Sequence, residues 1–170
     1  MSMFKRVLAA ALGVSLGVLA VKPVNAEPTK MPPGSIQEVV HAVMDAGFEP
    51  KGQDGQSCSR SLIMGYVNLE RLEMAICFEN INRYAAQHGL DKEQLAEETI
   101  KHEAFHVAQF CNGGPIAPEL SEFNIDLAQG VTDWHILGYK PAVWAIEAEA
   151  HLAQYLEYST ITNYIKHYCQ

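Results

Sequence analysis

The chain has 170 residues, a formal net charge of −8 and four cysteines. This length fits a single domain with a sizeable core. The acidic balance argues against nucleic acid and anionic membranes as partners, because both select basic surfaces. Charge and composition indicate neither a substrate nor an oligomeric state, so the function has to be inferred from motifs.

The first 26 residues predict a secretory signal. Lys5 and Arg6 precede an apolar run over residues 7–21, and the small residues before position 27 fit cleavage after Ala26. The run is shorter than the roughly 20 residues that cross a bilayer, so no stable membrane anchor is expected after cleavage. We therefore expect a secreted or periplasmic protein with one mature domain over residues 27–170.

All four cysteines lie in the part that would be exported, where an even number suggests two disulfide bonds. Three pairings are possible. We favour Cys58–Cys77 across a hairpin and Cys111–Cys169 between a long helix and the C-terminus.

The first half of the mature domain predicts one helix, two strands and a second short helix. Apolar residues recur at helical spacing over 35–47, and a polar, Gly-rich loop follows at 51–59. Between residues 60 and 81 they alternate at period two, which predicts two antiparallel strands joined around 68–71. Residues 80–88 fit a short helix.

A longer helix is predicted over residues 91–111. Asp91 fits the N-cap, and Gln94 lies at the position that completes a capping box. Asn-Gly-Gly at 112–114 is a typical helix stop. We expect this helix to be amphipathic.

The middle of this helix carries the motif His-Glu-x-x-His. His102 and His106 lie four residues apart and therefore on one face, where both imidazoles can reach a single metal ion. Glu103 lies beside the pair, close enough to act as a general base on water without ligating the metal. This is the arrangement that an H-E-x-x-H zinc site needs.

Catalytic zinc usually takes a third protein ligand, which must come from later in the chain. Residues 119–129 have helical spacing, 131–139 are ambiguous, and 141–158 contain no helix breaker after the initial proline. Along this last helix, polar side chains fall on one face, which is costly to bury without a partner such as a metal. They are Glu147, His151, Gln154 and Tyr158.

Two glutamates compete for the role of third ligand. Glu147 and Glu149 lie about 200° apart around a helix, so only one can face the histidine pair. Glu147 shares its face with the other polar residues and is our choice. Glu149 is expected to face solvent or a salt bridge.

His102-Glu103-x-x-His106, followed 41 residues after His106 by Glu147-Ala148-Glu149-Ala150, resembles the gluzincin metallopeptidases. The likeness is greatest to lineages of CAAX-prenyl proteases and heat-shock proteases. It implies that His102, His106 and Glu147 bind Zn²⁺ and that Glu103 is the catalytic base. In those lineages an Asp stands four residues after the ligand Glu and orients a ligand histidine. Here that residue is His151, for which a fourth-ligand role and a catalytic, oxyanion-stabilising role both stay open.

The elements together predict an α+β fold, mainly helical, with a small antiparallel sheet packed beside the H-E-x-x-H helix, as in a minimal zincin-like domain. In such peptidases an edge strand beside the metal usually pairs with extended substrate. The strand over residues 72–78 is our candidate, and a purely structural hairpin is the alternative.

The sequence thus predicts an exported zinc peptidase that hydrolyses a peptide or protein substrate. Besides His151, further candidates for the oxyanion donor are His135, Tyr139, Tyr155 and Tyr158. The alternative is an exported zinc-binding or interaction protein without turnover, or a chance match in which the histidines are ordinary helix residues. The intact Glu103 favours the enzyme, because a binding protein does not need a base beside its metal.

Overall fold

The computed structural model describes residues 34–52, 58–60, 63–116 and 141–170. In this part of the chain, five helices and three short strands form a mostly helical α+β fold, which confirms the predicted class. The elements are α1 (Ile36–Asp45), β1 (Glu49–Lys51), β2 (Gly65–Asn68), β3 (Glu73–Ile76), α2 (Phe78–His88), α3 (Lys92–Asn112), α4 (Pro141–Ala153) and α5 (Tyr158–Cys169). The predicted signal over 1–26, the predicted helix over 119–129 and the segment 131–139 lie outside the described residues.

The ends of α3 follow from its local sequence. The Asp91 side chain accepts a hydrogen bond from the backbone N–H of Gln94 at 2.8 Å, as expected of an N-cap. The Gln94 amide donates to Glu98 instead of returning to the cap, so the capping box is only half formed. Gly113 ends the helix in the left-handed region, at a φ of 81° that favours glycine.

The sheet is mixed, with strand order β1-β3-β2. The predicted antiparallel pair is present as β2 and β3, with Gly65 opposite Ile76. The expectation of a wholly antiparallel sheet is wrong, because residues 49–51 add an unpredicted strand parallel to β3. β3 is therefore the central strand with a partner on each side, and the proposal that residues 72–78 form a substrate-pairing edge is also wrong.

Helix α3 is the centre of the described structure. It packs against α1, α2, α4, α5 and the strands β2 and β3. Residues 103–109 are all buried, so this part of the helix has no solvent face. The prediction of an amphipathic helix is therefore wrong for these residues. Neighbours on every side explain the difference, because a helix enclosed in this way buries whatever side chains it carries.

Helix α4 begins at Pro141, as predicted, but it ends at Ala153 and not at residue 158. A turn follows, in which the N–H of Leu156 donates to the carbonyl of Ala153. Tyr158 starts α5. The predicted polar face is therefore divided between α4, the turn and α5, and only its first half stays with Glu147.

Of the two expected disulfide bonds, Cys111–Cys169 is present and joins the end of α3 to the end of α5. Cys58 and Cys77 are buried and free, so the second predicted bond is absent. Nearby, α3 and α5 share one apolar core with α1 and the sheet. Its fully buried members include Val39, Val43, Phe105, Val107, Ile161 and Ile165.

We expect replacement of both Cys111 and Cys169 by Ser to lower the free energy of unfolding. The bond closes a sequence separation of 58 residues. Loss of such a constraint on the unfolded chain costs about 4 kcal/mol. Urea unfolding followed by circular dichroism would measure it, and parent protein treated with a thiol reductant should unfold at the midpoint of the double variant. An unchanged midpoint would contradict a stabilising role for the bond.

Candidate metal centre

Two helices bring three potential metal ligands together. His102 and His106 lie one turn apart on α3, and their Nε2 atoms are 3.1 Å apart. Glu147 on α4 places its Oε2 3.6 Å from each of these nitrogens. The ligand atoms all lie within 4.8 Å of one another, so the group could hold a metal ion. Both histidines and the chosen glutamate are thus found together as the sequence predicts.

The donor chemistry fits a divalent transition metal. Imidazole nitrogen and carboxylate oxygen are ligands that such ions accept. His106 and Glu147 are buried and His102 is partly exposed, so the site has one side nearer to solvent.

The charges at the site are coupled. Burial by itself would lower the pKa of His106, but the Glu147 carboxylate raises it to about 9. Burial would raise the pKa of Glu147, but the two imidazoles hold it well below its usual range. Burial lowers the pKa of His102. Both directions favour an ion pair between His106 and Glu147 in the metal-free protein, and a metal that binds to the protonated form of His106 displaces a proton.

Glu103 lies next to this group and is enclosed. Its side chain is 4% exposed, and its Oε2 has no hydrogen-bond partner among the described residues. Burial raises the pKa of Glu103 to about 8, against the opposing effect of His106. A carboxyl group with a pKa near neutral can both take and give a proton under physiological conditions.

Strand β2 closes over Glu103 at a glycine. A Cβ at Gly65 would lie 2.7 Å from Glu103 Cγ and 2.8 Å from Thr99 Cγ2. No side chain fits there unless its neighbours move, so the strand backbone itself forms one wall of the site. Sequence reasoning did not single out Gly65, and its period-two context gave no signal of this contact.

Gln109 is a site residue that sequence reasoning missed. It is 1% exposed, and its Oε1 lies 2.7 Å from His106 Nδ1. Its Nε2 donates to the carbonyl of Ile146 and to Glu149 Oε2. The available signal was its spacing, since position i+3 from His106 lies on the same helix face.

The expectation that Glu149 faces solvent is wrong. This side chain is 1% exposed, and its Oε2 accepts hydrogen bonds from Gln109 Nε2 at 3.0 Å and from the N–H of Ile116 at 2.8 Å. Residues 146–150 are all buried, so α4 offers no solvent side to Glu149 here. Glu149 points away from Glu147 on α4, as expected, but in this fold that direction leads to the buried Gln109 and not to water.

His151 lies on α4 outside the group of three converging ligands. Its ring makes an edge-to-face contact with Tyr155, and its Nδ1 lies 3.4 Å from Gln154 Nε2. It is partly exposed and lies one helical turn after Glu147. It is thus a neighbour of the site on the partly exposed side.

The other candidate oxyanion donors are dispersed. Tyr155 is exposed, and the ring of Tyr158 lies 4.6 Å from Lys101 Nζ. His135 and Tyr139 fall outside the described residues.

Fold and site together define an α+β protein with a His/His/Glu group, buried except at His102, that could hold a metal ion. Residues 33–170 match the family described as a domain of unknown function, DUF8637. Because this match covers most of the chain, the protein belongs to that family. No curated protein and no solved structure shows significant similarity to it. Among the described helices, none combines the length and apolar character needed to cross a membrane.

We expect Gly65→Ala to destabilise the protein, because the added methyl group would overlap Glu103 and Thr99. Overpacking of this kind costs about 1–3 kcal/mol in the free energy of unfolding, which urea denaturation would measure. The matched comparison is the same change in a Glu103→Ala background, where the cost should be smaller because Cγ and Oε1 are gone. Equal costs in the two backgrounds would contradict the contact.

Proposed function

We propose that this protein is an exported zinc-dependent peptidase. In this proposal His102, His106 and Glu147 hold Zn²⁺, and Glu103 is the general base. The observation that supports it most is the position of Glu147, which lies 41 residues after His106 in the chain and yet comes within 3.6 Å of both imidazole nitrogens. The enclosed carboxyl group of Glu103 lies beside these three ligands and could serve as the base.

Zinc fits this donor set better than Ca²⁺ or Mg²⁺. Two imidazoles and one carboxylate are a typical catalytic zinc set, which leaves a fourth position open, whereas Ca²⁺ and Mg²⁺ prefer oxygen ligands. When bound, zinc supplies Lewis acidity, which lowers the pKa of water toward about 7 and polarises a carbonyl group.

Glu103 would move the proton. As water adds to the scissile carbonyl, the carboxylate takes a proton at Oε2, the oxygen that has no partner among the described residues. It then delivers this proton to the amide nitrogen as the C–N bond breaks. A nearby divalent cation favours the ionised form of Glu103, which offsets the rise in its pKa that burial causes.

His151 is our candidate for stabilising the negative charge that develops on the carbonyl oxygen. It lies one helical turn after Glu147 on α4 and is partly exposed, as is His102. Groups of this kind act by donating a hydrogen bond to the oxyanion.

The second candidate function is an exported zinc-binding protein without turnover. The observation that favours it is the enclosure of Glu103, which is 4% exposed and covered by the backbone of β2 at Gly65. A base with so little access must gain it through a movement before it can meet water and substrate. Both candidate functions include the metal site and the export predicted from residues 1–26. They differ in whether the protein hydrolyses peptide bonds.

We expect the parent protein to bind a single zinc ion, and we expect Glu147→Ala and His102→Ala to lose it, since each removes a ligand. Elemental analysis after dialysis would measure the stoichiometry. Glu93→Ala, an exposed acid on the same α3 helix, is the control and should retain zinc. A parent protein without zinc, or full occupancy in Glu147→Ala, would refute the ligand assignment.

We expect Glu103→Gln to retain zinc and to lower casein hydrolysis by at least about 10²-fold, because an amide cannot take the proton. The measurement is release of casein fragments with and without a chelator. The control is Glu93→Gln, at an exposed position near the start of α3, which should cleave at the parent rate. Parent-like cleavage by Glu103→Gln would rule out the base assignment. Zinc binding without chelator-sensitive cleavage in the parent would favour the second candidate function.

A further inference from the structure

We propose that Gln109 and Glu149 are positioning residues that fix the ring of His106. In this arrangement the Nδ1–H of His106 points to Gln109, and its Nε2 is directed at Glu147 and His102. The effect on zinc rests on the proposed function, whereas the ring orientation does not. Neither residue touches the three ligand atoms that would hold the ion, so both act through His106.

The orientation of the Gln109 amide follows from its partners. Its Nε2 lies 2.9 Å from the carbonyl oxygen of Ile146 and 3.0 Å from Glu149 Oε2. A carbonyl oxygen can only accept, so the amide must present its NH₂ group on this side. Its Oε1 therefore faces His106 and can only accept a hydrogen bond from Nδ1. The proton on Nδ1 leaves Nε2 as the nitrogen available to a metal.

The same amide joins the two helices that carry the ligands. Gln109 lies on α3 with His106, and the carbonyl that it binds belongs to Ile146 on α4, the residue before Glu147. One side chain thus contacts a ligand ring on one helix and the backbone beside a ligand on the other. This bridge holds the His106 ring and the Glu147 backbone in a fixed relation.

Glu149 keeps the amide in place. Its Oε2 accepts from Gln109 and from the backbone N–H of Ile116, which follows the end of α3. Gln109 and Glu149 are each 1% exposed. Hydrogen bonds in such an interior are stronger than in water, and buried groups that lose a partner are costly. Position 149 therefore requires a side chain whose oxygen accepts both hydrogen bonds, as a carboxylate or an amide does.

The first test uses the metal-free protein labelled with ¹⁵N-histidine. The parent should show a His106 Nδ1–H signal protected from exchange, and Gln109→Met, which retains the side-chain volume but has no amide, should lose it. Glu149→Ala should weaken the signal, whereas Glu149→Gln should preserve it, because an amide oxygen still accepts both hydrogen bonds. An unaltered His106 signal in Gln109→Met would overturn the proposal.

The second test measures the zinc dissociation constant by competition with a chelator of known affinity. Gln109→Met and Glu149→Ala should each weaken binding by about 10- to 100-fold. The double variant should bind zinc almost as tightly as either single variant does, because both residues act on the His106 ring. Fully additive effects would overturn the proposal.

A matched control separates positioning from loss of stability. Val107→Ala, next to His106 but directed into the apolar core, should lower the unfolding free energy and leave zinc affinity at the parent value. An equal loss of affinity in Val107→Ala would show that the effect of Gln109 is merely structural, which would overturn the proposal.

The two proposals can fail separately. A parent protein that binds no zinc refutes the proposed function, while the histidine signals of the metal-free protein still decide the orientation of His106. If Gln109→Met binds zinc as tightly as the parent protein does, the positioning role of Gln109 is overturned. The proposed function is unaffected by that result.

Discussion

The structure depends on the contact between α3 and α4, where buried charged groups face one another. Burying a carboxylate costs several kcal/mol unless a partner compensates for the lost water. Glu147 is compensated by two imidazoles, and Glu149 by Gln109 and the backbone N–H of Ile116. Each acid on α4 thus has partners, and three of these partners are α3 side chains: His102, His106 and Gln109. The two helices can pack closely only in the register that satisfies both acids, and this register also defines the candidate metal site.

Glu103 differs from these paired acids. It is buried in the same interior, yet its Oε2 has no partner among the described residues, and the backbone at Gly65 lies against its side chain. A carboxyl group held in this way lowers stability, which proteins tolerate mainly at functional sites. The raised pKa follows from the same burial, so the feature that weakens the fold also suits the group to proton transfer.

Local sequence patterns predicted those features that depend on neighbours in the chain. The N-cap at Asp91 and the end at Gly113 were correctly placed, because a helix end is decided by hydrogen bonds over a few residues. The sheet was only partly predicted. β1 has three residues and no clear period of its own, and its parallel pairing with β3 depends on how α1 packs. Short strands of this kind are defined by their neighbours.

The sequence by itself determined that His102, Glu103 and His106 share one region of a helix, because a spacing of four residues fixes side-chain direction through backbone geometry alone. It also supported Glu147 as the distant ligand, through its polar neighbours. Only the tertiary structure decided that Glu147 reaches the histidines, that Gln109 and Glu149 form a buried bridge behind them, and that Gly65 encloses the base. These contacts join residues far apart in the chain. Their distances depend on how the helices and strands pack, and no local pattern encodes that.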